Sequence, residues 1–350
     1  MRAICIREFG GNEKVQLENL PEPAPGPGQA LIRVKAAALN HLDIWVRKGR
    51  PGLTLGRPHV LGSDAAGVLE ALGPGCDGAT LKPGSEVVVN PGVSCMNCEF
   101  CLRGQQSECA QFKLLGFQLE GVYAEKALVP AVNLFPKPAA LSWEEAAALP
   151  LSHITAFRML FERARLQAGE SVLIHGIGGG VALAALQLIA ACGAHAIVTS
   201  SSQDKLTLAK GVGGSALLLG IQYGTNVDVA QKVKEATTGR GVDVVLDTVG
   251  APTLPISMNA VRRGGRIVTC GITGGAKAEI NLQQLYWNHI SLLGSTMGSM
   301  EDMRRLLKMV ESAQIKPVIC QKFPFESARD ALALMEEGKQ CGKLVLEVGR

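Results

Sequence analysis

The chain has 350 residues, of which 47% are hydrophobic and 19% are charged, and its formal net charge at pH 7 is +4. This length accommodates about two domains, each with a buried core. The small net charge, without a block of like charges, argues against nucleic acid or an anionic membrane as a partner, and no apolar stretch reaches the roughly 20 residues that span a bilayer. We therefore expect a small-molecule partner.

The first 132 residues carry short apolar runs separated by Pro-Gly pairs and glycine-rich turns. Runs at 30–36, 65–72 and 86–90 have the length of β-strands. Glycine and proline at their boundaries favour tight turns between them. The pattern predicts a turn-rich β domain.

Four cysteines lie close together in a loop at residues 91–110, namely Cys95, Cys98, Cys101 and Cys109. This spacing allows one loop to place four thiolates around a tetrahedral zinc, and such a closed site is structural because it leaves no position for substrate. Two disulfides or four separate buried thiols are the alternatives. The chain opens without a basic stretch followed by a long apolar run, so we expect a cytoplasmic protein, in which disulfides are rare.

From residue 143 onward, predicted strands alternate with predicted helices. Buried strands are expected at 171–175, 196–200, 242–247, 266–270 and 290–293, and a helix at 181–192. This alternation predicts a doubly wound parallel sheet with helices on both faces. The end of the chain adds amphipathic helices at 301–312 and 326–337 and a strand at 343–348, which could pack back on the first domain.

A glycine-rich turn joins the first of these strands to its helix. It contains Gly176, Gly178, Gly179, Gly180 and Val181. Glycines here let the backbone approach a pyrophosphate, and the amide end of the following helix attracts the anion. The position between a strand and a helix favours a dinucleotide site over a simple tight turn.

The second strand ends in a segment that distinguishes the two nicotinamide cofactors. An acidic residue there would bind the ribose 2′-hydroxyl of NAD. This chain instead has Ser200, Ser201 and Lys205, which we interpret as contacts for the 2′-phosphate of NADP(H), with NAD(H) possible. The alternative is that Lys205 is a solvated helix residue and Asp204 a helix N-cap.

Taken together, these motifs resemble the medium-chain dehydrogenase/reductase superfamily over essentially the whole chain. The matching segments are 62–68, 73–75, the cysteine loop, 148–155, the glycine turn, 247–250 and 342–343. The resemblance implies an α/β fold, with a GroES-like β-rich catalytic domain at 1–150 and 299–350 and a Rossmann domain at 151–298. It also implies one structural Zn²⁺ per chain and a homodimer or homotetramer.

The catalytic zinc ligands of the family's alcohol dehydrogenases are missing. The corresponding residues are Asn40, Ser63 and Leu151, and an amide, a hydroxyl and an alkyl chain cannot replace two thiolates and an imidazole. The hydroxyl that takes the alcohol proton is replaced by Leu42. The segment from Leu39 to Asp43 resembles instead the zinc-independent quinone oxidoreductases and enoyl reductases.

The resemblance suggests roles for individual residues, each with a structural alternative. Asn40 could orient a substrate carbonyl or the nicotinamide ribose, Asp64 could be a supporting acid, and His153 could be a proton donor, although a helix-start histidine is the simpler interpretation of His153. Thr155 and His41 are candidate cofactor contacts. His175 is expected to be a core or loop histidine.

Further cofactor contacts are expected where the later strands end. They are Val249, Gly250, Cys270, Gly271, Ile272, Ser295 and Met297, with Lys343 added by the resemblance. Cys270 could be considered a nucleophile, but no base is identifiable beside it, so a buried thiol is expected.

The sequence therefore predicts an NADPH-dependent reductase that transfers hydride to a quinone, an enone or an enoyl thioester without a catalytic metal. One alternative is an alcohol or aldehyde dehydrogenase whose metal site is rebuilt from Asp64, Asn40 and His153. The other is a non-catalytic NADPH-binding sensor or structural protein.

Overall fold

The computed structural model describes every residue except 51, 52, 55, 57, 77–79 and 350. The chain divides into two compact units. The first comprises Met1–Ile154 and Gly298–Arg350, and the second comprises Thr155–Met297. No helix in the described part of the chain is long and apolar enough to cross a bilayer.

The strands follow one another along the chain as β1 (Arg2–Ile6), β2 (Gln16–Asn19), β3 (Gln29–Ala38), β4 (His59–Val60), β5 (Asp64–Leu72), β6 (Glu86–Val89), β7 (Gly92–Val93), β8 (Lys113–Leu114), β9 (Lys126–Pro130), β10 (Leu134–Pro136), β11 (Ser171–Ile174), β12 (His195–Ser200), β13 (Leu217–Gln222), β14 (Val242–Asp247), β15 (Val261–Thr269), β16 (Ser291–Gly294), β17 (Ile319–Pro324) and β18 (Lys343–Glu347).

The α-helices are α1 (His41–Lys48), α2 (Glu99–Leu102), α3 (Trp143–Ala148), α4 (Pro150–Phe157), α5 (Gly180–Ala191), α6 (Gln203–Gly213), α7 (Val229–Ala236), α8 (Leu254–Ala260), α9 (Leu282–Trp287), α10 (Met300–Ser312) and α11 (Ala328–Glu336). Short 3₁₀ turns lie at Asn12–Lys14, Gln106–Glu108, Ala131–Asn133, Gly214–Ala216 and Phe325–Ser327, and a π-helical segment at Arg158–Arg163.

Strand β3 organises the main sheet of the first unit, whose order is β10-β6-β5-β3-β18-β17, with β9 also paired to β3. Antiparallel pairing places Ala38, the last residue of β3, opposite Asp64 of β5 on one side and Val345 of β18 on the other. Because antiparallel partners run in opposite directions, continuing the second register brings Lys343 beside Asn40. The strand pairing therefore gathers three distant polar residues at one end of β3.

The core of the first unit requires a glycine at position 62. Gly62 has a φ of +93°, and a Cβ atom added to it would lie 2.0 Å from Cδ1 of Tyr123. The Tyr123 side chain is completely buried among residues such as Ile32 and Leu69. The tyrosine ring thus packs directly on the backbone at Gly62, which only a residue without a side chain permits.

The second unit contains a sheet of six parallel strands in the order β13-β12-β11-β14-β15-β16, and every residue of this unit is described. Numbered along the chain from one to six, this order is 3-2-1-4-5-6, the order of a Rossmann sheet. The predicted doubly wound parallel sheet is confirmed. The carboxyl ends of all six strands meet at one edge, and the order reverses between β11 and β14.

One observed strand was not predicted, and one predicted helix has a different start. The edge strand β13 is absent from the predictions, because Gly220 interrupts its short apolar run. The predicted helix at 326–337 is a 3₁₀ turn followed by α11, since Pro324 precedes it and the first residues form the tighter turn.

Candidate functional site

The four cysteines of the loop at 91–110 form one cluster. Their sulfur atoms all lie within 4.8 Å of one another, and the Cys95–Cys101 and Cys95–Cys109 sulfur distances are 3.9 and 3.5 Å. Sulfurs arranged tetrahedrally at about 2.3 Å from a zinc are separated by about 3.8 Å, whereas a disulfide bond is about 2.05 Å long. The donor set therefore fits Zn²⁺, and these two sulfur pairs are not bonded.

Backbone amides support the thiolate form of this cluster. The N–H groups of Cys95 and Gln111 donate to Cys109 Sγ. A hydrogen bond from the Asn97 backbone lowers the pKa of Cys95 to about 6, whereas burial raises the pKa of Cys101 to about 11. Amide donors of this kind hold metal-bound thiolates in place.

A second cluster lies at the end of β3 and joins Asn40, Asp64 and Lys343. The Lys343 ammonium donates to Asn40 Oδ1 at 2.6 Å and to Asp64 Oδ2 at 3.0 Å, and Asn40 Nδ2 donates to Asp64 Oδ2 at 2.9 Å. The backbone N–H of Leu151 donates to the other Asp64 oxygen at 2.8 Å. All three side chains are buried, so this amide–carboxylate–ammonium cluster is a preorganised polar site in an apolar surrounding.

The three positions that the resemblance aligns with catalytic zinc ligands, Asn40, Ser63 and Leu151, have different surroundings. Asn40 and the backbone of Leu151 both bind into the cluster. Ser63 does not, because its buried hydroxyl donates to the carbonyl oxygen of Leu115 at 2.7 Å. No soft sulfur or imidazole donor is part of these contacts.

Asp43 and Tyr123 extend the cluster into the core. Asp43 Oδ2 accepts from the Asn40 backbone N–H at 2.9 Å, as in a helix capping box, and from the Tyr123 hydroxyl at 2.6 Å. Burial raises the pKa of Asp43 to about 6, and burial together with the Asp43 charge raises the pKa of Tyr123 well above its usual value. Asp43 Oδ1 has no hydrogen-bond partner among the described residues, in keeping with the raised pKa of this buried carboxyl group.

The sequence assigns no role to Asp43 or Tyr123. The Asn-x-x-Asp spacing of a capping box is the signal that could have identified Asp43. No local pattern identifies Tyr123, which reaches Asp43 from 80 residues away. Lys343 was expected to contact the cofactor, and its pairing with Asp64 depends on strand register.

The two histidines proposed for the site, His41 and His153, differ in exposure. His41, the first residue of α1, lies at the surface. The protein around its ring removes part of its hydration, and this effect, together with repulsion by Lys343, lowers the pKa of His41. His153 is buried, with its Nδ1 3.1 Å from both Ser152 Oγ and the Leu149 carbonyl oxygen. His153 is the fourth residue of α4, so it lies within the first turn and does not begin the helix.

Most of the predicted cofactor contacts belong to the second unit and lie near the carboxyl edge of its sheet, whereas His41 and Lys343 belong to the first unit. Gly176 and Gly178 have φ values of +67° and +126°, which explains the need for glycine at these positions. Gly179 caps α5 without a side-chain hydrogen bond, so the first amides of this helix of 12 residues have no side-chain acceptor at the cap. These features suit the binding of a pyrophosphate.

The segment after β12 is ordered by its own serines. Ser200 is buried and its hydroxyl accepts the backbone N–H of Ser202, while Ser201 is exposed. Ser202 is the N-cap of α6 and accepts the Lys205 N–H, so the alternative in which Asp204 caps the helix is wrong. The Lys205 side chain lies against Gly178, because a Cβ on that glycine would be 2.7 Å from Lys205 Cδ.

Asp247 shapes the neighbouring turn at the end of β14. Its Oδ1 accepts the backbone N–H groups of Val249 and Gly250 at 2.9 and 3.0 Å. Its Oδ2 accepts the Ser257 hydroxyl, which is 3.0 Å from Nε2 of the buried His175. His175 is therefore part of a structural network, and burial lowers its pKa.

The last two strands supply the remaining predicted contacts. Burial raises the pKa of Cys270 to about 12, so this thiol is not a nucleophile at neutral pH. Gly271 packs closely on the Thr248 backbone, and Ile272 is exposed. Met297 has a left-handed backbone with φ of +49°, and its sulfur lies 3.8 Å from the Thr155 hydroxyl. Ser295 directly follows β16, and its buried hydroxyl has no partner among the described residues.

Two family models match the chain. The model described as alcohol dehydrogenase GroES-like domain matches residues 26–139, and the model described as zinc-binding dehydrogenase matches residues 180–312. A curated NAD-dependent alcohol dehydrogenase of Sulfolobus acidocaldarius is 33% identical, covering 99% of this chain and 100% of the relative. The chain therefore belongs to the medium-chain dehydrogenase/reductase superfamily.

The protein is accordingly an oxidoreductase that uses a nicotinamide cofactor on small molecules, and its four-cysteine cluster is a structural zinc site. The predicted fold class, a GroES-like β-rich domain with a Rossmann domain, is confirmed.

Other similar proteins carry different names. A solved NAD-dependent alcohol dehydrogenase is 42% identical with a TM-score of 0.93, and each chain is fully covered. The quinone oxidoreductase of Rattus norvegicus is 31% identical over 99% of this chain and 97% of its own. A crotonyl-CoA carboxylase/reductase in complex with NADP is 27% identical with a TM-score of 0.90, covering 99% and 95% of the two chains.

Proposed function

We propose that this protein is an NADPH-dependent reductase that transfers hydride to the β-carbon of an enone or enoyl thioester, or to a quinone, without a catalytic metal. The observation that carries the proposal is that a buried ion pair, Asp64–Lys343, lies at the end of β3 where a catalytic zinc would otherwise be expected. Asn40 and the Leu151 amide, at two positions that correspond to lost zinc ligands, are bound to the Asp64–Lys343 ion pair. A buried ammonium repels a divalent cation, and the neighbouring donors are oxygens and amides.

The metal-binding residues elsewhere in the chain support the same function. Over the residues that the structure describes, the four loop cysteines are the one group of three or more His, Cys, Asp or Glu side chains close enough to hold a metal ion. Their four sulfurs fill a tetrahedral site and leave no position for substrate. Zinc thus has a place in the loop, whereas the one carboxylate of the Asn40 cluster is already paired with the Lys343 ammonium.

The chemistry of such a reduction makes few demands on the protein. The bound nicotinamide supplies the hydride. The protein must bind the cofactor, exclude water and stabilise the negative charge that develops on the acceptor oxygen. The glycine turn before α5 is suited to hold the pyrophosphate, and hydrogen-bond donors of the buried polar cluster can stabilise the negative charge on the acceptor oxygen.

The preference for NADPH rests on the segment after β12. We assign Ser201 and Lys205 as contacts of the 2′-phosphate. The Ser200 hydroxyl accepts the Ser202 N–H and so holds the turn that leads into α6. A preference for NADH is the competing hypothesis, because two similar proteins are named NAD-dependent alcohol dehydrogenases. Steady-state kinetics with both cofactors decides between them, and a kcat/KM that is higher with NADH than with NADPH would refute our assignment.

The function itself is tested by measuring NADPH oxidation with quinones, 2-alkenals, enoyl-CoA esters and simple aldehydes. We expect turnover with at least one activated acceptor and one zinc per purified chain by elemental analysis. The similarity to alcohol dehydrogenases favours a second candidate, an alcohol dehydrogenase with a rebuilt metal site. Two zinc ions per chain, with ethanol oxidation that a mild chelator abolishes, would establish that candidate instead. Cofactor binding without turnover of any acceptor would support a non-catalytic role.

A further inference from the structure

The side-chain amide of Asn40 is fully used as a donor. Its Nδ2 lies 2.9 Å from Asp64 Oδ2 and 3.5 Å from the carbonyl oxygen of Ala38, so both N–H groups point to acceptors. Its Oδ1 faces the Lys343 ammonium at 2.6 Å. The reversed amide would put an NH₂ group against an ammonium and an oxygen against a carboxylate, so its orientation is fixed. Asn40 can therefore accept a further hydrogen bond, but it cannot donate one to a substrate oxygen without losing Asp64.

Lys343 has a donor left over. An ammonium carries three N–H groups, and the partners of Lys343 among the described residues are Asn40 Oδ1 and Asp64 Oδ2. The Lys343 side chain is only 5% exposed, so its charge is poorly hydrated. A hydrogen bond from a poorly hydrated ammonium to an anionic oxygen is much stronger than the same bond in water.

The backbone holds Lys343 in place. Lys343 begins β18, and its N–H donates to the Val318 carbonyl oxygen at 2.8 Å. The preceding Gly342 has a φ of +107°, and a Cβ on it would lie 2.5 Å from that same oxygen. The ammonium is thus presented from a strand of the main sheet, which suits a group that must be aimed before the reaction begins.

We propose that Lys343 is the electrophilic catalytic residue of the site, donating its third N–H to the acceptor oxygen that becomes negative during hydride transfer. This inference rests on the proposed function. When hydride adds to the β-carbon of an enone, the electron pair of the carbon–carbon double bond moves toward the carbonyl oxygen and forms an enolate. Lys343 keeps its proton throughout, and the enolate is discharged after hydride transfer, when its α-carbon takes a proton from solvent water. Asn40 and Asp64 are positioning residues that hold the ammonium.

The test compares Lys343→Met with Lys137→Met in the zinc-loaded protein. Lys137 is a matched control because its side chain is also nearly buried, at 6% exposed, and its ammonium also pairs with one carboxylate, that of Glu86. We expect Lys343→Met to lower kcat at least 100-fold, the size of effect seen when an oxyanion donor is removed. The Kd for NADPH, measured by fluorescence, should change by less than threefold, and Lys137→Met should leave kcat within twofold.

A spectroscopic measurement tests the same residue without turnover. 4-Nitrophenol resembles an enolate when ionised, and its phenolate is coloured whereas the neutral phenol is not. Bound to the wild-type protein with NADP⁺, it should ionise at a pH at least one unit below that of the free phenol, and Lys343→Met should abolish this difference. Lys343→Arg, which keeps the charge, should fold and retain part of the difference even if the methionine variant does not fold.

The outcomes separate this inference from the proposed function. A wild-type protein that reduces none of the acceptors would overturn the proposed function, while the nitrophenol titration still shows whether Lys343 receives an oxyanion. A Lys343→Met variant that keeps its kcat and its nitrophenol titration but loses NADPH affinity would overturn our inference, because Lys343 would then be a cofactor contact. Equal losses in the Lys343 and Lys137 variants would overturn it as well, since they would indicate a general effect on stability.

Discussion

The zinc loop and the polar cluster at the end of β3 are both built sites within the first unit, but they are built from opposite donors. The loop brings four thiolates from 15 consecutive positions around one point. The cluster combines an amide, a carboxylate and an ammonium from three strand ends that are up to 303 residues apart. Thiolates suit a soft cation, whereas the cluster carries its own cation. The difference separates metal binding from the proposed reduction within one domain.

The largest expected effect tests the zinc loop. Cys98→Ala removes one of four ligands, and because structural zinc contributes folding free energy directly, we expect Tm to fall by about 10 °C or more. The exposed Cys320 provides the control, and Cys320→Ala should leave Tm unchanged. Differential scanning calorimetry with zinc analysis measures both. A loss of kcat per folded, zinc-depleted chain as large as the loss from Lys343→Met would contradict the separation of the two sites.

The packing beneath the polar cluster gives the next largest effect. Gly62→Ala would force a Cβ into the Tyr123 ring and would require a strained φ, so we expect a loss of roughly 3 kcal/mol in the free energy of unfolding. Gly28→Ala is the matched control, since Gly28 has a φ of +73° with no atom within 4 Å of its added Cβ. Urea denaturation of both variants separates the clash from the backbone strain. Equal losses would show that Tyr123 moves aside freely.

The pH dependence of the free energy of unfolding tests the raised pKa of Asp43. Burial raises the pKa of Asp43 from 3.8 to about 6, so the folded state holds a proton that the unfolded state releases. This group therefore favours the unfolded state increasingly as pH rises from about 4 to 6, by at most about 3 kcal/mol. Asp43→Asn should remove this dependence. Urea denaturation at pH 4.5 and 7 checks it, and a difference between variant and wild type that is independent of pH would contradict it.

The smallest effect concerns the cofactor. Lys205→Met should weaken NADPH about tenfold and leave NADH nearly unchanged, because one ammonium contact to a phosphate contributes roughly 1–1.5 kcal/mol. Lys210→Met, on the last turn of the same helix, is the control. Kd values for both cofactors come from protein fluorescence. Equal weakening of NADPH and NADH would show that Lys205 acts on the glycine turn and not on the 2′-phosphate.

Local sequence signals predicted the fold class and the zinc site well. The central strands β11, β12 and β14 are continuous buried runs, and the four cysteines lie in one loop. Both signals can therefore be seen among residues that are close together in the sequence. The edge strand β13 was missed because Gly220 interrupts its short apolar run. The nucleotide contacts follow from where parallel strands end, and they stay predictions for each residue.

The polar cluster could be predicted only in part. The resemblance pointed to Asn40 and Asp64 separately, but their joint binding to Lys343 depends on the registers of β3 with β5 and with β18. The raised pKa of Asp43 and its hydrogen bond with the Tyr123 hydroxyl depend on burial that no local pattern encodes. Side-chain contacts between segments this far apart in sequence require the tertiary structure.

The register of β3 also limits which insertions and deletions this protein tolerates. A shift of one residue in β5 or β18 would turn every side chain of that strand to the opposite face and would carry Asp64 or Lys343 away from Asn40. The glycine-rich connections between strands can change in length without such a shift. Length variation in the first unit should therefore concentrate in its turns, and a single-residue deletion within β18 should abolish the cluster even where each of its residues is retained.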